Sequence, residues 1–369
     1  MRRLLRTLTL RRHAAHHILR PASCAAALLL ILLLAASCER RDIYREGVTT
    51  RPVIVSMDWR NLGSDPSGAS IYMYPETGAT PYVFKTNSVG KALVQVPSGY
   101  YTVLVFNRTV DEYGTMSFSD MSQLGYAKAV LDSRYVAWVG TSDAVGRTVY
   151  DPEIIVVGRT DHFQVNEVTS STFEIYESTR AGDTDGAAVS QKLDTCYVTP
   201  QQVVMTGTIQ VRVEGIQNVS SARGYLTGLS GGLFLGTRAT TDTLATHVVE
   251  SWTLQRDEGD YTKGYLVGTF QCFGLPEEYI SNKDVLHNHL SMQIKLVDGK
   301  TTVTADFDVG DRIEEIASER KVNLVVGIQA TAADDPIVLP DVEPAGGSKS
   351  GFDITLDDWD DPVDVVVPL

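Results

Sequence analysis

An all-β fold is what this sequence predicts, on three observations. Apolar residues recur with a period of two in many short segments, turn formers punctuate those segments, and stretches with a helical period are few. The chain has 369 residues, 43% hydrophobic and 21% charged. That composition supports a folded core, and the length exceeds what one core usually organises, so two domains are expected.

The first 37 residues read as an address. Arg2, Arg3, Arg6, Arg11, Arg12 and Arg20 precede an unbroken apolar run, Cys24 to Ala36. The run is shorter than the roughly 20 residues a membrane-spanning helix needs, which is the pattern of a signal peptide. It ends Leu34-Ala35-Ala36-Ser37-Cys38, which resembles the lipobox where a bacterial lipoprotein receives a diacylglycerol on its cysteine thiol. The leucine usual three residues before the cysteine is here Ala35, with Leu34 one position further away. Cys38 is the expected lipid attachment and the first mature residue. At about 0.8 kcal/mol per buried methylene, such an anchor would hold a soluble body on its partner, the membrane lipid.

Residues 38–51 are charged and aperiodic, as suits a tether. Strands are expected at 53–59 and 70–74, then at Tyr101 to Phe106, which is apolar on both faces and reads as a central strand. Another is expected at 154–157. From Thr208 to Glu214, Ile209, Val211 and Val213 alternate with polar residues, the mark of a sheet with one wet face. Leu290, Met292, Ile294 and Leu296 lead into Asp298-Gly299, and Val303, Ala305, Phe307 and Val309 lead away, which predicts a hairpin whose tight turn uses positive φ angles. Further strands are expected at 321–330, 352–356 and 363–367, the last packed inward as an integral strand. Short helices are expected at Ser119 to Val130 and Asp311 to Glu319. The polar stretch from Ser178 to Asp194 reads as a linker or long loop, placing a boundary near Pro200 and domains at 52–199 and 200–369.

The formal net charge is −14; without the six leader arginines, 26 basic residues face 46 acidic ones, a net of −20. Such a surface repels phosphate backbones, so nucleic acid is not an expected partner.

Several segments together resemble one family. They are Cys-Glu-Arg-Arg-Asp-Ile-Tyr from Cys38, VSMDW at Val55 to Trp59, VPSGYYTVLVFN at Val96 to Asn107, GYLTGLSGG at Gly224 to Gly232, FGLPEE at Phe273 to Glu278, LVDGK at Leu296 to Lys300, and a terminal DDW followed by VDVVV. In this order they resemble the fimbrillin-type lipoproteins of Bacteroidetes, including the minor-fimbria anchor proteins. The resemblance implies two tandem transthyretin-like β-sandwich domains, a lipid on the N-terminal cysteine at the outer membrane, and a non-enzymatic role as fimbrial anchor or accessory adhesion subunit. It also implies fimbrial subunits as partners through strand complementation, with no cofactor. A surface glycan-binding lipoprotein of a nutrient-uptake system is the alternative; it would need exposed, clustered aromatics among Trp59, Trp138, Trp252 and Trp359.

Candidate chemistry is sparse. Gly228-Leu229-Ser230-Gly231-Gly232 matches the Gly-x-Ser-x-Gly elbow of serine hydrolases, which works only at a strand-to-helix turn; a glycine-rich turn between strands is expected instead. His287 and His289 have same-face spacing but lack a third ligand. Asp306, Asp308 and Asp311, with Glu314 and Glu315, lack the order of a calcium loop and read as a wet strand face. The aspartates around Trp359 read as a solvated turn. No catalytic or metal-ligating residue is therefore expected. Cys196 and Cys272 could pair in an oxidising envelope or stay as separate buried thiols. Asp242-Thr243-Leu244 resembles a short O-glycosylation pattern, placing a sugar on Thr243. Arg45 and Arg51 are the tether positions open to proteolysis.

Overall fold

Neighbouring strands take the backbone amides that the two expected helices would need. In a computed structural model, which describes residues 50–62, 66–140, 142, 145–167, 173–176, 188–191, 193–277, 288–328, 335–346 and 363–366, the regular elements are strands and isolated 3-10 turns. The segment from Ser119 to Val130 divides into the end of strand Met116–Ser119, a run of turns, and strand Lys128–Leu131, which pairs with Gly232–Phe234. The segment from Asp311 to Glu319 holds strand Glu314–Ile316, paired with Lys321–Val326, and one 3-10 turn. A short helix is marginal by itself, so strand pairing decides both cases. The all-β class stands.

Thr50 to Leu369 forms one compact unit. Its first pair of sheets sets a three-stranded sheet, in the order Asp194–Val198, Thr50–Met57, Lys91–Pro97, against a five-stranded one. The latter runs Gln201–Gln202, Val156–Val165, Gly99–Asn107, Ala69–Pro75, Tyr82–Thr86. Val53, Val55, Val94, Val96 and Val198 of one sheet meet Ile71, Met73, Val103, Val105 and Val156 of the other in a shared core. The chain crosses between the sheets at Ser98, where the Tyr101 hydroxyl donates to the Pro97 carbonyl at 2.9 Å and fixes the turn.

Gly99–Asn107 is buried on both faces, as its sequence indicates. Tyr101, Val103 and Val105 enter the core just described; Leu104 and Phe106 face a second one with Tyr72, Tyr74, Leu131, Leu233, Leu235 and Phe273. A three-stranded sheet, Gly232–Phe234, Lys128–Leu131 and Met116–Ser119, forms this third layer with strands from both sides of residue 200. Asn107 ends the strand as a hub rather than as a mere turn former. Its amide donates to the Ile154 carbonyl at 3.0 Å, its side-chain oxygen accepts the Val156 N–H at 2.7 Å, and the Tyr113 hydroxyl donates to its carbonyl.

The second pair of sheets begins at Met205. One sheet runs Trp252–Asp257, Asp260–Cys272, Met205–Glu214, Lys321–Val326, Glu314–Ile316, and Ile337–Val338 also pairs with Met205–Glu214. The facing sheet runs Val363–Val366, Thr301–Asp308, His289–Leu296, Val219–Ser230, Leu244–Val249, Thr148–Val149. Ile209, Val211 and Val213 are fully buried while their polar neighbours stay partly exposed, as the alternation requires. The predicted hairpin pairs Leu290 with Phe307, Met292 with Ala305 and Ile294 with Val303.

The hairpin's turn departs from expectation: Gly299 alone has positive φ, at 69°, and its N–H bonds the Leu296 carbonyl at 3.0 Å. Asp298 instead works through its carboxylate, which accepts the Thr301 N–H at 2.9 Å and hydroxyl at 2.6 Å. An aspartate that caps the turn with its side chain leaves only glycine to supply the left-handed geometry.

Val363–Val366 is docked, in parallel, on the edge formed by Thr301–Thr304. Within the stretch from Ser178 to Asp194, strand Ala188–Gln191 pairs with Phe173–Tyr176 as a ribbon. The expected strand at 352–356 lies outside the described residues.

Candidate functional site

Ser230, the nucleophile of a literal hydrolase motif, lies fully buried at the end of Val219–Ser230. Its hydroxyl is shared between the carbonyls of Thr241 at 2.7 Å and Gly232 at 2.8 Å. Beyond Gly231 the chain enters another strand, Gly232–Phe234, so the geometry is strand to strand and holds no elbow. Gly228 beside it has φ +80° at a bulge, and an added Cβ would lie 2.6 Å from the Asn288 amide nitrogen. Asn288 is fully buried and donates to the Thr227 carbonyl at 2.7 Å, so this glycine serves packing.

The other candidates separate in space. Cys196 and Cys272 are buried free thiols in different cores, the second of the two arrangements the sequence leaves open. Burial pushes the Cys196 thiol up to about 11 and the Cys272 thiol up to about 12, which leaves both poorly nucleophilic. Asp306 and Asp308 sit on the exposed face of their strand, and His289 Nε2 lies 3.5 Å from Asp306. Among the described residues no group of three metal-ligating side chains gathers. Thr243 is exposed in a loop before Leu244–Val249. Arg51 belongs to strand Thr50–Met57, is only 3% exposed, and donates to the Asn166 carbonyl at 2.9 Å, so it is not an open tether arginine. Cys38, Arg45, His287, Trp359 and its neighbouring aspartates lie outside the described residues.

Among the described residues the tryptophans do not form an exposed cluster. Trp59 is buried in the first core, Trp252 packs against the core that holds Ile209, Val211 and Val213, and Trp138 tilts on Tyr225 at 6.0 Å with the Arg223 guanidinium 4.5 Å from its ring centre. Among the described residues no helix is long and apolar enough to cross a membrane.

What the surface offers is of two kinds. Sheet edges are the first. Trp252–Asp257 closes one sheet with Thr253, Leu254, Gln255 and Arg256 all exposed, and Lys91–Pro97 closes another with Leu93 exposed. An edge strand presents unpaired backbone groups along its length. The second is an aromatic pair at one end of the five-stranded sheet. Tyr100 and His162 stack with ring centres 4.4 Å apart and planes 16° from parallel. His162 Nδ1 lies 3.0 and 3.2 Å from the two carboxylate oxygens of Glu76. His162 stands in a β-bulge opposite Tyr101 and Val103, with φ +53°. Sequence reasoning passed over this cluster, because Glu76, Tyr100 and His162 belong to three separate segments.

A cavity of about 260 Å³ lies among Gln202, Met205, Arg238, Glu277, Glu315 and Arg320. Burial raises the Glu315 carboxyl above its ordinary range, and the Leu275 N–H, 2.7 Å away, pulls against that rise.

No curated protein matches the chain. Among solved structures, a candidate adhesin from Bacteroides ovatus is 16% identical and aligns over 83% of this chain and 98% of its own, with a TM-score of 0.53. A candidate adhesin from Bacteroides thetaiotaomicron is 7% identical over 77% of this chain and 92% of its own, with a TM-score of 0.45. The fimbrial anchor protein Mfa2 from Porphyromonas gingivalis is 13% identical over 78% and 95%, with a TM-score of 0.41. The likeness to Bacteroidetes adhesins and fimbrial proteins that the motifs carry thus holds at the level of fold, through the first of these. A family model matches residues 37–250, more than half of the sequence, and on that match the chain belongs to the family described as a domain of unknown function, DUF5119.

Proposed function

We propose that this protein is a lipid-anchored, non-enzymatic component of the bacterial cell surface, acting as a fimbrial anchor or accessory adhesion subunit. The observation that carries the reading is the shared all-β architecture, which follows a candidate adhesin over 83% of the chain. The placement of Ser230 fits it, since the one nucleophile motif in the sequence is sealed in a core. The family match begins at residue 37, beside the processing point proposed at Cys38. In this reading each pair of sheets is a transthyretin-like sandwich, in tandem and meeting near residue 200.

The partner is a fimbrial subunit that adds a strand to a free edge, because main-chain hydrogen bonds along an edge give affinity that tolerates sequence variation. The edge Trp252–Asp257, exposed on both faces, suits such an addition. Val363–Val366 already fills an edge of its own sheet, which suits a receiving protein better than a donating one. Thr243, exposed and flanked by Asp242 and Leu244, is the proposed O-glycosylation point. The buried and half-buried tryptophans lend no support to the nutrient-uptake alternative.

The test is mass spectrometry of the protein extracted from membranes, coupled to identification of what co-isolates with it. The N-terminal peptide is expected to begin at Cys38 with a diacylglyceryl thioether, Cys38→Ser is expected to release the protein from membranes, and fibre subunits are expected in the extract. A bare Cys38 thiol would sink the anchoring, and glycan transporters in place of fibre subunits would sink the fimbrial role.

A further inference from the structure

We infer that the Tyr100–His162–Glu76 cluster is a recognition site for a neutral saccharide. The inference rests on the adhesive reading above and names what such a protein would grip.

The cluster is built rather than incidental. Tyr100 is 43% exposed although one ring face lies on the imidazole, so its open surface is the other face and the edge. Backbone and side chain both hold the arrangement: the Glu76 N–H donates to the Tyr100 carbonyl at 3.0 Å while the Glu76 carboxylate grips the imidazole. The left-handed backbone at His162 is disfavoured for a residue with a Cβ, and glycine would occupy this bulge without that strain. Keeping an imidazole there orients the tyrosine ring. Strain of this kind collects where a surface has work to do.

Beside the ring lies a concavity of about 290 Å³ lined by Ser98, Tyr100, Gln164, Asn166 and Glu167. That is at the lower end of the about 300–1,000 Å³ typical of small-molecule sites, and suits a sugar ring rather than an extended ligand. The chemistry selects the class. A pyranose offers a face of polarised C–H groups to the electron-rich face of Tyr100. Its hydroxyls need a mixture of donors and acceptors, which Gln164, Glu167 and Ser98 supply, with the side-chain oxygen of Asn166, whose amide nitrogen already donates to Asp194 at 2.9 Å. A peptide hot spot would require an enclosed apolar pocket, and these neighbours are exposed and polar. Glu76 and Glu167 make the surroundings acidic, Asp161 being paired with Arg159 at 2.7 Å, which disfavours nucleic acid and uronate- or sialate-bearing glycans.

The experiment immobilises the detergent-extracted full-length protein and measures binding of mannan, galactan and β-glucan, with polygalacturonate as the acidic counterpart. Binding to at least one neutral polysaccharide is expected. Tyr100→Ala should weaken it about tenfold and His162→Gly by severalfold, since each removes one part of the stacked platform. His162→Gly relieves strain, so its thermal midpoint should hold or rise, which separates lost recognition from lost folding. No binding to any neutral polysaccharide, unchanged binding by Tyr100→Ala, or preference for polygalacturonate would each overturn the assignment. Co-isolation with fibre subunits is followed in the same Tyr100→Ala strain: if it persists while the sugar test fails, this site alone is wrong, whereas its absence from the wild type refutes the adhesive reading itself.

Discussion

Two mid-sheet strands, Gly99–Asn107 and Met205–Glu214, solve the same problem differently. Both put alternate β-branched residues into a sandwich core: Val103 and Val105 in one, Ile209, Val211 and Val213 in the other. Their opposite faces diverge. Leu104 and Phe106 are buried beneath a third layer, whereas Gln210, Arg212 and Glu214 stay at the surface. Arg212 there forms a two-pronged pair with Asp257 at 2.8 and 2.6 Å, and its guanidinium lies 4.8 Å from the Tyr265 ring centre. The difference teaches that a second hydrophobic face in a strand is a request for another layer. Here that layer comes partly from Gly232–Phe234, far along the chain. The sheet in the first half is therefore stabilised by residues of the second.

The sharpest way to break this comparison is Phe106→Ala. Phe106 is fully buried and stacks on Tyr72 and Phe118 at 5.6 Å from each, so its loss should cost about 3–5 kcal/mol by denaturant unfolding. Gln210→Ala, on the wet face of the other strand, should stay within about 0.5 kcal/mol. Equal costs would mean that the third layer contributes little.

A smaller effect tests whether the second sandwich is as tolerant as its wet faces suggest. Gly228→Ala forces a side chain into a left-handed bulge and against the buried Asn288, and is expected to cost on the order of 1–3 kcal/mol. An unchanged thermal midpoint would place the bulge outside the packed structure.

The smallest expected effect concerns pH. The Glu315 carboxyl is raised in the folded state by burial. As pH climbs through the ordinary carboxylate range the unfolded chain loses this proton first, so folding loses stability until the folded carboxyl also ionises. Glu315→Gln keeps an oxygen for the Leu275 N–H and removes that penalty. The variant should lose this fall in stability between mildly acidic and neutral pH and gain about one degree in thermal midpoint at pH 7. A lower midpoint at neutral pH would mean that the charged carboxylate is favoured where it sits.

Much of the fold was legible because strand periodicity is local. The register of Leu290, Met292 and Ile294 against Phe307, Ala305 and Val303 could be read from alternation and one Asp-Gly pair. The two-faced burial of Gly99–Asn107 was equally plain. The helices expected near Ser119 and Asp311 were not there, because a short amphipathic stretch carries no record of which distant strand will claim its amides. The turn at Asp298 differed in type because the competition between side-chain capping and a positive φ is settled by geometry. At the candidate site nothing was legible, because Glu76, Tyr100 and His162 lie far apart in the chain.

By itself the sequence determined the all-β class, the inward and outward faces of its clearest strands and the acidic charge balance, since each depends on composition or on residues adjacent in the chain. Only the tertiary structure decided that Ser230 is sealed, that Cys196 and Cys272 stand in separate cores, that Arg51 is buried, and that Glu76, Tyr100 and His162 meet. Those outcomes depend on which distant segments share a layer, and alternation within one strand specifies which side faces a core without specifying whose residues will fill it.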